Sequence, residues 1–185
     1  MPPPPSTSGL VLLCLDVQPN FLKAIARADV LQRRCAFALQ AAAGLGLDLL
    51  FTEQVPQKLG GTAPELLALV ASPAIFAKTT FSALANAAVR DALQSRHAEH
   101  LLLCGIETPV CVYQTAIDAL HAGRQVTLLA DCIGARRDDD ARLALDALAR
   151  AGAHVLPSET VFYSLLRDAT HPFFKTYTQL VKNHA

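Results

Sequence analysis

A chain of 185 residues, 52% of them hydrophobic, can bury one sizeable core and is expected to form a single domain over residues 10–185. Its 16 Lys plus Arg balance 16 Asp plus Glu, so it carries no basic excess to hold a phosphate backbone or an anionic membrane face, and nucleic acid is not an expected partner. Its apolar runs fall far short of the roughly 20 residues needed to cross a bilayer, so neither a transmembrane helix nor a membrane partner is expected.

Residues 1–9 combine four prolines with small polar residues and lack the basic start and apolar stretch of a secretory signal. They read as a disordered leader. Nearly continuous apolar runs follow over 10–15, 47–51, 74–77, 100–104, 126–130 and 154–156, as strands buried on both faces of a parallel sheet require. Between them lie Ala- and Leu-rich segments of helical length at 29–43, 84–96, 109–121 and 138–150. This alternation predicts the α/β class. Gly44, Gly123 and Gly152 follow helical segments, where a left-handed residue ends a helix. The one long stretch without a pattern, 52–62, contains Pro56 and Gly60-Gly61 and reads as a lid over a site. Five cysteines, at 14, 35, 104, 111 and 132, form no Cys-x-x-Cys pair and no disulfide framework. A reducing, cytoplasmic location is expected.

In an open parallel sheet a ligand binds beyond the carboxyl ends of the strands. The runs end there in Asp16, Thr52-Glu53, Lys78, Glu107 and Asp131. A polar residue at the sheet rim needs no further explanation than contact with water, but a carboxylate, an ammonium and a thiol on one rim are less easily dismissed. Cys111 follows Thr108, a helix-capping residue, and Pro109, which suits a first turn. The thiol is therefore expected at a helix N-terminus, where free N–H groups, the helix dipole and a nearby lysine favour a thiolate. The same N–H groups would hold the oxyanion formed when that thiolate attacks a carbonyl. Asp16 would move the proton, and Lys78 would hold both charged partners. Cys14, Cys35 and Cys104 lie inside apolar runs or a helix and are read as packing residues.

Three segments resemble the isochorismatase-like cysteine hydrolases, which include nicotinamidases and N-carbamoylsarcosine amidase. Gly105-Ile106-Glu107-Thr108-Pro109-Val110-Cys111-Val112-Tyr113-Gln114-Thr115-Ala116 is similar to that family's nucleophile motif. Leu15-Asp16-Val17-Gln18-Pro19-Asn20-Phe21 resembles its first-strand motif, and Phe76-Ala77-Lys78-Thr79-Thr80-Phe81-Ser82 its lysine motif. The resemblance implies a three-layer, Rossmann-like, doubly wound sheet of six parallel strands, with Asp16, Lys78 and Cys111 as a catalytic triad at its carboxyl edge. It also implies a cis peptide between Ile106 and Glu107, with the Glu107 and Cys111 N–H groups forming the oxyanion hole.

Thr52-Glu53-Gln54-Val55-Pro56, Ala130-Asp131 with Arg136, and the stretch from Asp168 to Lys175 resemble the subgroup of isochorismatase domain-containing proteins. Nicotinamidases carry a metal site of an Asp and several His near the second strand. Here that stretch offers Thr52 and Gln54 and no histidine, which argues against nicotinamidase activity. The six histidines show no zinc-site spacing, and Gly44-Leu45-Gly46 precedes a strand and so is no dinucleotide fingerprint. Neither a metal nor another cofactor is expected.

Gln18, Phe21, Gln54 and Phe81, by their places after strand ends, are expected in the substrate pocket. Pro109 joins them, standing where close relatives often have a polar residue. The Arg136-Arg137-Asp138-Asp139-Asp140 cluster reads as a helix start with acidic residues matched to the dipole, with Arg136 able to tie Asp131 or a neighbouring loop. The expected activity is hydrolysis of a C–N bond in a small amide or carbamoyl compound through a thioester on Cys111. The competing readings are vinyl-ether hydrolysis, which needs an acid and no thiol, and a non-catalytic interaction module. The resemblance further implies a homo-oligomer, a dimer or larger closed assembly.

Overall fold

The computed structural model describes residues 7–184. Six parallel strands make one sheet: β1 (Leu10–Leu15), β2 (Asp48–Gln54), β3 (Ala74–Lys78), β4 (His100–Ile106), β5 (Gln125–Gly134) and β6 (His154–Leu156). Their spatial order is β3-β2-β1-β4-β5-β6, with every neighbouring pair parallel. The chain therefore starts in the middle, winds out to one edge, returns, and winds to the other. The switch lies between β1 and β4, and in doubly wound sheets a ligand binds beyond the carboxyl ends of the strands at that point.

The helices divide between the two faces. On one face Cys35, Phe37, Ala38, Leu39, Ala41 and Ala42 of α2 (Ala28–Gly44) pack against Leu12, Cys14, Leu102 and Cys104 of the sheet. Val161, Phe162 and Leu166 of α8 (Ser158–Leu166) and Tyr177 of α9 (Phe174–Asn183) extend that layer. On the other face Val89 and Leu93 of α5 (Ala87–Ser95), Ala116 and Ala119 of α6 (Tyr113–His121) and Leu148 of α7 (Asp138–Arg150) cover Val11, Leu13, Leu101, Leu103 and Leu128. All six residues of β1 are buried, which is why this strand shows no polar alternation in the sequence. Three single-turn helices, α1 (Pro19–Leu22), α3 (Pro56–Leu59) and α4 (Pro64–Leu67), line the connections beyond β1 and β2.

Several elements differ from the sequence reading, each for a local reason. The helix expected over 84–96 is broken at Asn86, whose side chain accepts the Val89 N–H and starts α5 afresh after a 3₁₀ turn at Ala83–Ala85. β5 runs on past Asp131 to Gly134, because a register shift between Leu103 and Gly105 brings Ile133 and Gly134 beside Gly105 and Ile106. Gly44 is not the left-handed stop of α2. Gly46 is, with φ +73°, and Gly44 is glycine because the Phe173 ring lies where its Cβ would stand. The expected leader falls on residues 1–6, outside the described residues, and on Thr7–Gly9, where the Gly9 carbonyl accepts the Glu99 and His100 N–H groups.

Candidate active site

Asp16 follows β1 in a left-handed conformation, φ +54°, with its N–H donated to the Thr52 carbonyl of β2. Lys78 is the last residue of β3, two strands away, and its side chain crosses the end of β2 to reach Asp16. The Nζ to Oδ2 distance is 2.7 Å, and both side chains are fully buried. Such a pair is costly to bury unless its remaining hydrogen-bonding capacity is met. Here it is met. Thr52 Oγ1 donates to Asp16 Oδ1 at 2.7 Å, and Gln54 Oε1 accepts from Lys78 at 2.6 Å. The Thr80 and Phe81 carbonyls lie at 3.2 and 3.3 Å from the ammonium.

Cys111 reaches the same point from β4. Gly105 makes this possible: at φ +106°, with the Leu15 carbonyl oxygen 2.1 Å from where a Cβ would stand, no other residue fits between β1 and β4. The Ile106–Glu107 peptide is cis, and the chain then enters a wide π-type turn, Thr108–Val112, that leads into α6. Pro109 sits early in that turn as expected, but Thr108 does not cap it. Its hydroxyl donates instead to the Gly134 carbonyl at 3.0 Å, pinning the turn to the end of β5. The Cys111 Sγ lies 3.6 Å from Lys78 Nζ, and the residue is 3% exposed.

The state of the thiol departs from the expected thiolate. Burial first, and then the Asp16 charge, push it up to about 12, with a hydrogen bond to Asp16 adding to them. The Lys78 charge and the Glu107 backbone N–H, which is hydrogen-bonded to the sulfur, pull the other way without prevailing. The lysine cannot prevail because its ammonium is already committed to Asp16 at 2.7 Å. At neutral pH the thiol is thus neutral, beside the Asp16–Lys78 ion pair.

The expected pocket residues separate into two kinds. Gln18 and Gln54 are buried and their amides are consumed within the protein. Gln18 Oε1 accepts the Gln54 N–H at 2.7 Å, while Nε2 donates to the Gln54 carbonyl at 3.1 Å and to the Gly60 carbonyl. Phe81 is exposed, and Phe21 and Pro109 are half-buried. Arg136 donates to Glu107 Oε1 at 2.9 Å, not to Asp131. Asp131 instead anchors Arg34 and Ser158. Burial alone would raise the Asp131 carboxyl, but the Ser158 hydroxyl and N–H and the Arg34 guanidinium outweigh it and hold the group below its ordinary value. Among the described residues, no three His, Cys, Asp or Glu side chains gather as a metal site would need, and no helix is long and apolar enough to cross a membrane.

Comparison with known proteins adds to this geometry. The isochorismatase domain family matches residues 10–160. Isochorismatase domain-containing protein 2A of Mus musculus is 38% identical over 176 residues, which cover 95% of this chain and 83% of that protein. Among solved structures, the MAR1 ribonuclease of Caenorhabditis elegans superposes with a TM-score of 0.90 at 30% identity, covering 96% of this chain and 91% of the other. The YcaC gene product of Escherichia coli, described as an octameric hydrolase of unknown specificity, superposes with a TM-score of 0.85 at 21% identity over 98% and 96% of the two chains, a likeness of fold.

Proposed function

The chain belongs to the isochorismatase family, and from that membership we propose that it is a thiol hydrolase cleaving the C–N bond of a small amide or carbamoyl compound. The observation that carries the reading is the convergence of Asp16, Lys78 and Cys111 from three strand ends within hydrogen-bonding reach, in a buried setting. A protonated thiol held on a carboxylate is poised for transfer at the moment of attack. The Cys111 proton moves to Asp16 as sulfur bonds to the substrate carbonyl carbon. The oxyanion forms against the Glu107 and Cys111 N–H groups. As the tetrahedral species collapses, the C–N bond breaks and Asp16 returns its proton to the departing amine, leaving a thioester on Cys111. Water then attacks with Asp16 again as base, the C–S bond breaks, and acid and free thiol are regenerated. Lys78 takes no part in these proton transfers and offsets the charge of Asp16.

Vinyl-ether hydrolysis would use Asp16 as an acid and leave Cys111 idle. The word ribonuclease in the name of the Caenorhabditis elegans structure raises RNA as another substrate class, but a chain with 16 basic and 16 acidic residues lacks the positive excess that docks a phosphate backbone. The test is a panel of primary amides, N-carbamoyl compounds and single-stranded RNA, assayed with wild type and Cys111→Ala. The expected result is release of amine or ammonia from a subset of amides, an acyl adduct of matching mass on wild type, and no turnover by Cys111→Ala. Turnover that survives in Cys111→Ala would overturn the thiol route, and RNA cleavage without amide hydrolysis would overturn the substrate class. We further propose a closed homo-oligomer, as the octameric YcaC hydrolase suggests, and a reducing cytosol, which suits five unpaired cysteines.

A further inference from the structure

The Lys78 ammonium has three N–H bonds and five acceptors. Gln54 Oε1 is at 2.6 Å, Asp16 Oδ2 at 2.7 Å, the Thr80 carbonyl at 3.2 Å, the Phe81 carbonyl at 3.3 Å and Cys111 Sγ at 3.6 Å. The shortest of these is to Gln54, which neither the charge balance of the site nor the proton transfers above require. Its amide cannot turn over, because Nε2 donates to the Thr79 carbonyl at 3.0 Å and a flipped amide would set its NH₂ against the ammonium. Thr52 and Gln54 lie two residues apart on β2 and so project to the same face. One holds the carboxylate of the ion pair and the other holds the ammonium, so the strand between β1 and β3 clamps both ends of a bridge that spans it.

Gln54 is itself braced. The Gln18 amide closes on both its backbone N–H and its carbonyl and, through Nε2, also holds the Gly60 carbonyl of the loop after β2. From these contacts we propose that Gln54 is a positioning residue that keeps the Lys78 ammonium against both Asp16 and the Cys111 thiol, with Gln18 tying that position to the loop over 55–62. The inference rests on the reading of Cys111 as the nucleophile. A lysine stem is long and flexible, and holding its head in one place costs rotamer entropy. Without the Gln54 oxygen, the freed N–H turns to the Thr80 and Phe81 carbonyls and the ammonium withdraws from the sulfur.

The test uses the full chain with Gln54→Met, which keeps volume and removes the acceptor, Gln54→Ala as a second form, and Glu53→Gln as a control. Glu53 holds the same loop through the Thr62 N–H and hydroxyl and makes no hydrogen bond or ion pair to Lys78, whose polar partners are Asp16, Gln54, Thr80, Phe81 and Cys111. Acrylamide alkylation of Cys111 is followed by intact mass from pH 6 to 10, alongside the ¹⁵Nζ ammonium signal of Lys78 in lysine-labelled protein. Losing the partner of a charged donor predicts a thiolate population about 10- to 100-fold smaller, which after the offsetting gain in sulfur nucleophilicity appears as alkylation about 3- to 10-fold slower at neutral pH, a pH profile displaced upward, and a lost or exchange-broadened Lys78 signal. Glu53→Gln should stay within about twofold of wild type on the same scale. Folded Gln54 variants with the wild-type profile and Lys78 signal would overturn the proposal, as would Glu53→Gln shifting both equally. Wild-type protein that is not alkylated at Cys111 would count against the nucleophile itself, and the Lys78 signal would then decide the role of Gln54 independently.

Discussion

Asp16→Asn should separate the ionisation of the thiol from catalysis, with opposite signs. In the native site the Asp16 charge and its hydrogen bond both work with burial to raise Cys111 from 9.0 to about 12. Roughly one thiol in ten thousand is then ionised at pH 8, against about one in ten for an ordinary cysteine. Asparagine keeps the shape, removes the charge, and leaves the Lys78 ammonium, 3.6 Å from the sulfur, without its carboxylate partner. The thiolate population therefore rises. Each tenfold gain is offset about threefold by the lower nucleophilicity of a less basic sulfur, so a hundredfold gain appears as alkylation about tenfold faster. Under the proposed mechanism hydrolysis should move the other way, falling about 10²- to 10⁴-fold with loss of the base it assigns to Asp16. Acrylamide labelling by intact mass between pH 6 and 9, and amine release from an amide substrate, measure the two quantities on one preparation. Slower labelling in Asp16→Asn would refute the reasoning, because it would mean that Asp16 ionises the thiol at rest instead of receiving its proton during attack.

Two further outcomes concern stability. Asp131 is held below the ordinary carboxylate value by Ser158 and Arg34 against the effect of burial, so its contribution is present above the unfolded value and is lost as pH falls through the folded one. Asp131→Asn should cost about 1–3 kcal/mol at pH 7 and flatten the acid limb of a denaturation series, whereas an unchanged limb would contradict the assignment. Tyr177 is fully buried, and its hydroxyl is the one buried side-chain polar atom without a partner among the described residues. Tyr177→Phe should therefore leave stability unchanged or raise it by up to about 1 kcal/mol, about 2–4 °C in Tm, and a lower Tm would mean that the hydroxyl has a partner.

The sequence made the sheet legible where burial is complete. β1 and β4 are apolar at successive positions because helices cover both their faces, and they needed no partner information to recognise. The far end of β5 was hidden because Asp131 looks like a strand terminus. It stays in the ladder only because β4 and β5 change register after Leu103, a property of the pair and not of either strand. α8 and α9 were missed for another reason: their Thr, Phe, Tyr and Val residues are mediocre helix formers, and it is packing of Phe162, Tyr163 and Tyr177 around Phe37 and one another that defines them. In the site, Asp16, Lys78 and Cys111 stood out as ionisable groups at strand ends. Thr52 and Gln54 were assigned only to a strand end or a pocket, although their two-residue spacing already put them on one face of β2. The neutral thiol was not legible, because it depends first on how deeply the fold buries Cys111 and then on how near it sets the Asp16 charge.

The five cysteines show how the fold confines this chemistry. Cys14 and Cys104 are register partners on β1 and β4, and Cys35 of α2 lies in the same core layer, its thiol donating to the Cys132 carbonyl. Cys132 donates to the Arg34 carbonyl beside them. These four residues are at most 1% exposed and lie within the core layer. Cys111 alone lies beyond the strand ends, at the carboxyl edge of the sheet beside Asp16 and Lys78. An electrophile small enough to reach that edge should therefore report on one sulfur only, and a second labelled cysteine in folded protein would indicate that the helix layer over β1 and β4 opens on the timescale of labelling.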